Sequence, residues 1–306
     1  MTPPAPAATW RELRVGAARL LADGAIANPA NEARWIVEEA SGLLGAALVA
    51  AEAAQSAPGA AARVDVMVHR RLTGEPLQYV LGSWQFRGLD LFVDRRVLIP
   101  RPETELTAER AIEEAERLGG RRGRRAPWAG TSTEYTVADL GTGSGAIAIA
   151  LAMELPDALV WATDTSDDAV AVARANVAGV GASGARVRVE RGDWFDAFPG
   201  DLRGSVRVIV SNPPYLRDDE VQDLPPEVML HEPHTALVSG PTGLEATAHL
   251  TRHAPEWLVP GGSLVVEIDS RRADATAALA ADAGFSEVRV DDDLTGRPRV
   301  LVARLA

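Results

Sequence analysis

The sequence predicts an α/β fold with a mostly parallel sheet, preceded by a small bundle of helices. From Thr136 onward, short apolar runs of strand character alternate with segments of helical spacing, which is typical of a parallel sheet. Before residue 84 only helical spacing occurs. The predicted strands are 136–140, 158–163, 186–191, 207–211, 262–268, 286–291 and 298–304, and the predicted helices among them are 145–154, 167–178, 243–254 and 271–283.

Three regions are expected along the chain. Residues 1–84 form a helical domain, residues 85–98 a β-hairpin that joins the two domains, and residues 99–306 the larger α/β domain. The hairpin prediction depends on partial alternation of apolar and polar residues around Gly88 and Asp90. A chain of 306 residues suits one large and one small domain better than a single core.

Helix signals divide the first region. Thr9 followed by Glu12 is typical of a capped helix N-terminus. The dipeptide Asn28–Pro29 breaks the chain, and Asn31 is then predicted to cap a second helix. An alanine-rich third helix and a fourth over residues 60–72 complete the predicted bundle.

Composition narrows the possible functions. The net charge of −12 argues against extensive binding to a phosphate backbone, and the lack of cysteine excludes disulfides and thiolate chemistry. Five histidines without a metal-ligand spacing make a metal enzyme an unfavoured interpretation. No signal peptide or membrane helix is evident, so a cytoplasmic protein is expected. The basic stretch Arg121–Arg125 is interpreted as a solvated loop, with an RNA or acidic-partner contact as the less favoured alternative.

A glycine-rich turn follows the first predicted strand of the sheet. Gly141, Gly143 and Gly145 alternate between that strand and an apolar helix, and glycine lets the backbone turn sharply and approach a ligand closely. Asp164 then ends the next strand, where a carboxylate can accept hydrogen bonds from both ribose hydroxyls of a nucleoside cofactor. The alternative for Asp164 is a cap on the helix that begins near Asp167.

An acidic residue and an aromatic residue end the third strand. Asp193 is placed to accept a hydrogen bond from the exocyclic amine of an adenine, and Trp194 offers a flat face to the base. A tryptophan that simply fills the core remains an equal alternative for Trp194.

The stretch Asn212–Tyr215 follows the fourth strand. Its two prolines lack backbone N–H groups, so the strand ends there in a stiff loop at the edge of the sheet where ligands bind. The side-chain oxygen of Asn212 and the backbone oxygen of Pro213 can accept both hydrogens of a planar –NH₂ group, while the Tyr215 ring lies against its face. An Asn-Pro turn that merely closes a strand is the alternative.

These motifs, with three others, occur in a fixed order. The chain resembles the HemK/PrmC family, the release factor glutamine N5-methyltransferases, within the class I S-adenosylmethionine-dependent methyltransferases. The resemblance runs from about Gly74 to the C-terminus, and the helical region before it also fits. Residues 238–242 depart from it, since the family more often has two glycines, an acidic residue and glycine there. The three further motifs are GEPLQYVLG at 74–82, LIPRPETE at 98–105 and HEPHTAL at 231–237.

The resemblance implies a seven-stranded Rossmann-like sheet with a reversed last strand. It implies that class I release factors are the partners and that the glutamine of their GGQ motif receives the methyl group. No metal, no direct contact with nucleic acid and a monomer are expected. Asn212, Pro213, Pro214 and Tyr215 would bind the glutamine, with Asn212, Pro213 and Tyr215 catalytic. S-adenosylmethionine would be held by Gly141, Thr142, Gly143, Ser144, Gly145, Asp164, Asp193, Trp194 and Asn212.

Other functions remain open at this stage. A related enzyme that modifies a glutamine of a ribosomal protein is the nearest, and an adenine-N6 DNA methyltransferase would also present an –NH₂ group to such a loop. The DNA enzyme would need a basic recognition region, which the charge of −12 disfavours. A non-catalytic cofactor-binding protein or a dehydrogenase would have no use for Asn212–Tyr215.

Overall fold

The computed structural model describes residues 8–119 and 135–306. Two compact units divide the chain: one contains the residues up to Ser83 together with Pro225–His231, and the other contains Trp84–Leu224 and Glu232–Ala306. The segment Pro225–His231 was not part of the helical domain expected over residues 1–84. The basic stretch Arg121–Arg125 lies outside the described residues.

The described elements follow the predicted alternation. The helices are α1 (Trp10–Asp23), α2 (Pro29–Ser41), α3 (Ala46–Ala51), α4 (Ala60–Leu72), α5 (Leu77–Leu81), α6 (Pro102–Gly119), α7 (Ala146–Glu154), α8 (Asp167–Gly179), α9 (Pro226–His231), α10 (Glu245–His253) and α11 (Ala273–Asp282). The strands are β1 (Ser83–Phe86), β2 (Leu89–Phe92), β3 (Tyr135–Leu140), β4 (Ala158–Asp164), β5 (Val187–Arg191), β6 (Val206–Ser211), β7 (Leu216–Arg217), β8 (Val238–Gly240), β9 (Leu258–Glu267), β10 (Glu287–Asp292) and β11 (Pro298–Arg304).

Helices α1 to α5 and the short helix α9 make up the first unit. The expected capping box is confirmed, because Thr9 caps α1 and Glu12 bonds back to the Thr9 backbone. The prediction that Asn31 caps α2 is wrong: Asn28 is the N-cap and Pro29 the first helical residue. Proline is favoured there because its fixed φ suits the helix and its missing N–H costs nothing.

One arginine ties α9 to the rest of this unit. Arg71 of α4 forms ion pairs with Glu32 of α2 at 2.7 Å and with Glu227 of α9 at 2.9 Å. Only 12% of the Arg71 side chain is exposed, so the two carboxylates neutralise a cation held largely out of water. This long-range contact brings a segment from the second half of the sequence into the helical unit.

The hairpin consists of β1 and β2, which form a two-stranded sheet with Arg87 and Gly88 at the turn. It therefore spans Ser83–Phe92, earlier in the chain than the predicted 85–98. Residues Arg96, Val97 and Leu98 instead follow it as loop and line a cavity described below.

The second unit contains the predicted seven-stranded sheet, in the order β10-β11-β9-β6-β3-β4-β5. Strands β9, β6, β3, β4 and β5 are paired in parallel, while β11 is antiparallel to both β9 and β10. The reversed last strand is thus confirmed. The short parallel pair of β7 and β8 was not predicted, because strands of two and three residues leave little periodicity in the sequence.

Strand β3 lies beside the central strand β6, at the point where the chain order reverses. From β3 the chain proceeds outward to β4 and β5 on one side, and β6 and β9 lie on the other. Ligands of open α/β sheets bind outside the carboxyl ends of the strands at such a reversal. Leu140 of β3 is in register with Ser211 of β6. The glycine-rich turn after β3 and the proline-rich loop after β6 therefore begin side by side.

Candidate active site

A cavity of about 160 Å³ opens at the carboxyl ends of the parallel strands. Most of the residues predicted to form the site meet there, although they come from four separate loops. Those that line the cavity are Gly141, Thr142, Gly143, Ser144, Asp164, Asp193, Trp194, Asn212 and Pro214. Gly145, Pro213 and Tyr215 are not among the lining residues.

The glycine-rich turn has the backbone shape that only glycine adopts readily. Gly141, Gly143 and Gly145 have φ of 70°, 55° and 84°. A Cβ atom on Gly145 would lie 3.4 Å from Ala173, so this glycine also allows α7 and α8 to pack closely. A Cβ on Gly143 would meet no protein atom within 4 Å. The turn is therefore open on the side to which that Cβ would point.

Asp164 connects the end of β4 to this turn. Its Oδ2 accepts a hydrogen bond from the Gly143 N–H at 2.9 Å, and its Oδ1 accepts one from the Ser166 N–H at 2.9 Å. Burial raises the pKa of Asp164, and these backbone hydrogen bonds oppose that shift. The cap of α8 is Ser166, whose hydroxyl accepts from the Ala169 N–H, so the capping alternative for Asp164 is not needed.

Trp194 both lines the cavity and packs against the core. It has an unusual φ of 48°, and its backbone oxygen accepts a hydrogen bond from the Thr163 hydroxyl at 3.0 Å. One part of its ring lies 3.6 Å from the Cβ position of Gly141 in the cavity, and the ring also stacks with His249 at 6.2 Å between centroids. Both interpretations of Trp194, a cavity wall and a core residue, are therefore consistent with its position.

The proline-rich loop is held from both sides. The Ser211 hydroxyl donates to the Leu140 carbonyl at 2.7 Å, which joins the loops after β3 and β6. The Asn212 side-chain N–H donates to the Thr104 hydroxyl at 3.0 Å. Beyond the prolines, the Tyr215 carbonyl accepts from Arg272 at 3.4 Å, and burial raises the pKa of the Tyr215 phenol.

The rest of the cavity wall comes from two stretches to which only the family resemblance had drawn attention. Pro100 and Thr104 come from the LIPRPETE stretch, and Pro233 comes from the HEPHTAL stretch; all three line the cavity. An ion pair between Arg101 and Glu232 joins the two stretches, and the Glu232 side chain is fully buried. The cavity wall is thus built by a contact across 131 positions of the sequence.

Comparison with known proteins gives a consistent result. The family model described as the methyltransferase small domain matches residues 129–292, and the PrmC N-terminal domain matches residues 12–82. A release factor glutamine methyltransferase of Cereibacter sphaeroides is 40% identical over 96% of this chain and 97% of its own length. One of Deinococcus radiodurans is 36% identical over 97% of this chain and 98% of its own length. The chain belongs to the release factor glutamine methyltransferase family.

The fold is shared with one solved structure that aligns over most of the chain. The catalytic domain of hMettl16 aligns with a TM-score of 0.51 at 15% identity, covering 81% of this chain and 82% of that one. A release factor-specific protein-(glutamine-N5) methyltransferase of Alicyclobacillus acidocaldarius is 26% identical, with a TM-score of 0.38, and covers 68% of this chain and 94% of its own. The family match shows that the chain is an S-adenosylmethionine-dependent methyltransferase, as the resemblance implied.

The cavity of this methyltransferase fits that cofactor. Asp139, at the end of β3, is buried under the glycine-rich turn, and its Oδ2 accepts from the Thr142 hydroxyl at 2.6 Å and the Ala148 N–H at 3.0 Å. Burial raises the pKa of Asp139 to about 7 against these hydrogen bonds. Within the described chain its Oδ1 has no hydrogen-bond partner. The turn is open at Gly143, and the carboxylate of Asp164 lies on the cavity wall, which suits the ribose hydroxyls of a nucleoside cofactor.

Two residues that shape this site were not predicted from the sequence. Asp139 could have been noticed as an acidic residue inside an otherwise apolar strand end. Asn176 of α8 donates to the Ser144 carbonyl at 2.8 Å and exchanges two hydrogen bonds with the Phe92 backbone, so it ties the glycine-rich turn to β2. No local signal marks Asn176, because its partners are far away in the sequence.

Over residues 8–119 and 135–306, no cluster of three or more histidine, aspartate or glutamate side chains is arranged to hold a metal ion. No helix in the described part of the chain is long and apolar enough to span a membrane.

Proposed function

We propose that this chain transfers a methyl group from S-adenosylmethionine to the side-chain N5 of the glutamine in the GGQ motif of class I release factors. The observation that carries the proposal is the position of Asn212, which lies beside the glycine-rich turn with its amide anchored to Thr104 at 3.0 Å. Relatives that align over nearly the whole chain are named release factor glutamine methyltransferases.

The proposed cofactor residues surround the cavity on the β3 side. Gly141, Gly143 and Ser144 would offer backbone contacts, Asp164 would accept from the ribose hydroxyls, and Asp193 with Trp194 would hold the adenine. Thr142 and Gly145 would maintain the shape of the turn. When bound, the cofactor supplies a methyl group on a positively charged sulfonium.

Asn212 is the proposed acceptor of the substrate amide. An amide nitrogen is a poor nucleophile because its lone pair is delocalised, so the protein must orient it and stabilise the positive charge that develops during transfer. The Asn212 Oδ1 and the Pro213 carbonyl would accept the two N–H hydrogens. Because Pro213 and Tyr215 do not line the cavity, their contacts would form only as the glutamine enters past Pro214.

The proposal extends to partners and location. The helical unit would help to bind the release factor, and the enzyme would act as a cytoplasmic monomer without direct contact with nucleic acid. The net charge of −12 supports a protein partner over a nucleic acid.

The test is methyl transfer from S-adenosylmethionine, labelled on the methyl group, to a purified class I release factor. A second reaction uses the same factor with its GGQ glutamine replaced by alanine. We expect label in the first reaction and none in the second, with the added 14 Da located on that glutamine by mass spectrometry of peptides.

Label in both reactions would contradict the proposed residue. Label in neither, with the cofactor shown to bind by calorimetry, would contradict the proposed substrate. Ribosomal proteins and adenine-containing DNA, tested in parallel, would then decide between the two alternative classes of methyltransferase.

A further inference from the structure

One arginine contacts the far end of the proline-rich loop. Arg272 lies in the turn between β9 and α11, and its Nη1 donates to the Tyr215 carbonyl at 3.4 Å. Its Nε donates to the Thr242 carbonyl at 3.0 Å, in the loop between β8 and α10. A guanidinium group only donates hydrogen bonds and a carbonyl oxygen only accepts them, so the direction of both bonds follows from the groups themselves. Arg272 therefore joins the residue that follows the two prolines to a separate loop.

Two carboxylates hold this arginine in place. Its Nη2 donates to both oxygens of Glu220 at 2.8 Å, and its Nη1 forms an ion pair with Asp269. Only 11% of the Arg272 side chain is exposed, and the two carboxylates are less exposed still. Burial would raise the pKa of Glu220, but hydrogen bonds from the Arg217 N–H and the Arg272 side chain outweigh it and lower the pKa, which keeps this carboxylate ionised at neutral pH. An arginine bound on two sides by carboxylates has little freedom to turn.

A neighbouring arginine shares the two carboxylates but not the two carbonyl groups. Arg271 pairs with Asp269 at 2.6 Å and with Glu220 at 2.9 Å, and 59% of its side chain is exposed. Among the described residues, its side chain donates to no backbone carbonyl. A comparison of the two arginines therefore separates the contact with the loop from the charge of the cluster.

The contact with the loop is closely packed. Gly243 has a φ of 75°, and a Cβ atom there would lie 2.7 Å from the Tyr215 carbonyl oxygen and 2.8 Å from the Nε of Arg272. The next residue of the loop is also fixed, because the Leu216 N–H donates to the Leu237 carbonyl at 3.0 Å. The end of the proline-rich loop is thus held at two successive residues.

The loop is stiff enough to transmit a movement of this end. The rings of Pro213 and Pro214 fix their own φ angles, and each proline keeps the residue before it extended. The segment from Asn212 to Pro214 therefore has few torsions that can absorb a displacement of Tyr215. When Tyr215 moves, the Pro213 carbonyl and the Asn212 side chain must move with it.

We propose that Arg272 is a positioning residue for methyl transfer, which aligns the two acceptors of the substrate amide by holding the Tyr215 carbonyl. This inference rests on the proposed function, because it takes Asn212 and the Pro213 carbonyl as the groups that receive the glutamine amide. Misplacing such acceptors slows the transfer step, whereas the loop after β3 keeps its affinity for the cofactor.

Matched substitutions of the two arginines test the proposal. Arg272→Lys keeps the charge, but an ammonium group has no planar fork and cannot bond the carboxylate and both carbonyl groups at once. We expect kcat to fall on the order of ten-fold, with the calorimetric Kd for S-adenosylhomocysteine within about two-fold of wild type. Arg271→Lys makes the same chemical change in the same cluster, and its kcat should stay within about two-fold of wild type.

Gly243→Ala tests the same contact without changing any charge. The added methyl group pushes the Tyr215 carbonyl and Arg272 apart, so we expect a loss of kcat similar to that of Arg272→Lys, again with an unchanged Kd. Gly204→Ala is the matched control, because Gly204 also has a positive φ, of 65°, but no atom lies within 4 Å of its Cβ position. Both alanines carry the same kind of backbone strain, and only Gly243→Ala should slow the transfer.

A double-mutant cycle shows whether the two changes act through one contact. Because Arg272→Lys and Gly243→Ala both displace the Tyr215 carbonyl, their combination should be little slower than the slower single variant. Two independent defects would multiply instead. Thermal unfolding of each variant checks that the fold is retained, and kcat is expressed per cofactor-binding site counted by calorimetry.

Nuclear magnetic resonance observes the carbonyl directly and does not depend on turnover. The chain has three tyrosines, and only Tyr215 is followed by a leucine. Protein labelled with ¹³C at the tyrosine carbonyl and with ¹⁵N in leucine therefore gives a single coupled ¹³C–¹⁵N signal, from Tyr215 and Leu216. Arg272→Lys and Gly243→Ala should shift this signal, while Arg271→Lys and Gly204→Ala should leave it in place.

The outcomes separate this inference from the proposed function. If wild type labels no release factor, the proposed function fails and the positioning role falls with it. If wild type labels the factor but Arg272→Lys keeps full kcat, or Arg271→Lys is equally slow, or the Tyr215 carbonyl signal does not move, the positioning role is wrong and the proposed function stands. A loss of cofactor affinity as large as the loss of kcat would also overturn the positioning role.

Discussion

The two loops at the centre of the sheet reach rigidity by opposite means. The turn after β3 uses glycines with positive φ, which remove side chains and leave open space. The loop after β6 uses Pro213 and Pro214, which remove N–H groups and leave carbonyl oxygens. The first loop is therefore suited to surround a ligand closely, and the second to accept hydrogen bonds from one.

The hydrogen bonds that hold the two loops in place also differ. Asn176 fixes the glycine-rich turn by its backbone, through the Ser144 carbonyl. Thr104 fixes the proline-rich loop by a side chain, the amide of Asn212. Changes on the β3 side should therefore alter cofactor affinity, and changes on the β6 side should alter the rate of transfer.

The largest expected effect on methyl transfer comes from Asn212→Ala. Removing an acceptor for charge that develops in the transition state should lower kcat on the order of 100-fold or more. The Kd for S-adenosylmethionine, measured by calorimetry, should change by no more than about three-fold. The control is Asn31→Ala, an exposed asparagine of α2. Equal losses in kcat and in cofactor affinity would contradict the assignment of cofactor binding to the loop after β3 and of methyl transfer to the loop after β6.

Gly143→Ala should have the next largest effect. The added methyl group enters the open side of the turn, so the cofactor Kd should rise about ten-fold or more, while kcat at saturating cofactor stays within about three-fold. Gly181→Ala is the matched control, because Gly181 also has a positive φ of 60° and no neighbour within 4 Å of its Cβ position, but it does not line the cavity.

Both glycine variants should lose about 1 kcal/mol of unfolding free energy from backbone strain. Only Gly143→Ala should bind the cofactor more weakly. A similar Kd for the two variants would show that strain, and not access to the ligand, explains the glycine.

Asn176→Ala should have a smaller effect on the same side. It leaves the Ser144 carbonyl and the Phe92 backbone without their partner, so the free energy of unfolding should fall by about 2 kcal/mol. The looser turn should raise the cofactor Kd a few-fold, with kcat at saturation unchanged. A loss of kcat at saturating cofactor would contradict the division of roles.

Glu114→Gln should have the smallest effect on transfer, because Glu114 lies at the opposite edge of the sheet. Burial would raise the pKa of Glu114, but hydrogen bonds from Arg304, Arg117 and Ser263 outweigh it and lower the pKa to about 2. Since the folded state holds the proton more weakly than the unfolded state, this carboxylate stabilises the fold at neutral pH by about 3 kcal/mol.

That contribution is present above pH 4.5 and is lost as the pH falls from there toward 2. Denaturant unfolding should therefore separate wild type from Glu114→Gln at pH 7 and bring the two closer together at pH 4 and below. Methyl transfer at 25 °C should be the same for both. A lower kcat in the variant would connect this edge of the sheet to the active site.

Much of the site could be predicted because its parts are local. Each loop directly follows an apolar strand, and glycine or proline restricts its own backbone whatever surrounds it. The succession of strands along the chain and the positions of Gly143, Asp164 and Asn212 followed from such signals, and the cavity brings these residues together. The expected cap at Asn31 failed because Pro29 starts the helix two residues earlier, so Asn31 lies inside α2.

By itself, the sequence determined the fold class, the reversed last strand by resemblance, and the two loops that face the cavity. Only the tertiary structure decided which side chains hold those loops: Thr104 beside Asn212, Asn176 behind the glycine-rich turn, and Arg101 with Glu232 in the wall. It also decided that the segment Pro225–His231 belongs with the helical unit. A backbone restriction depends on neighbours in the chain, whereas a contact between distant residues exists only after helices and strands have packed.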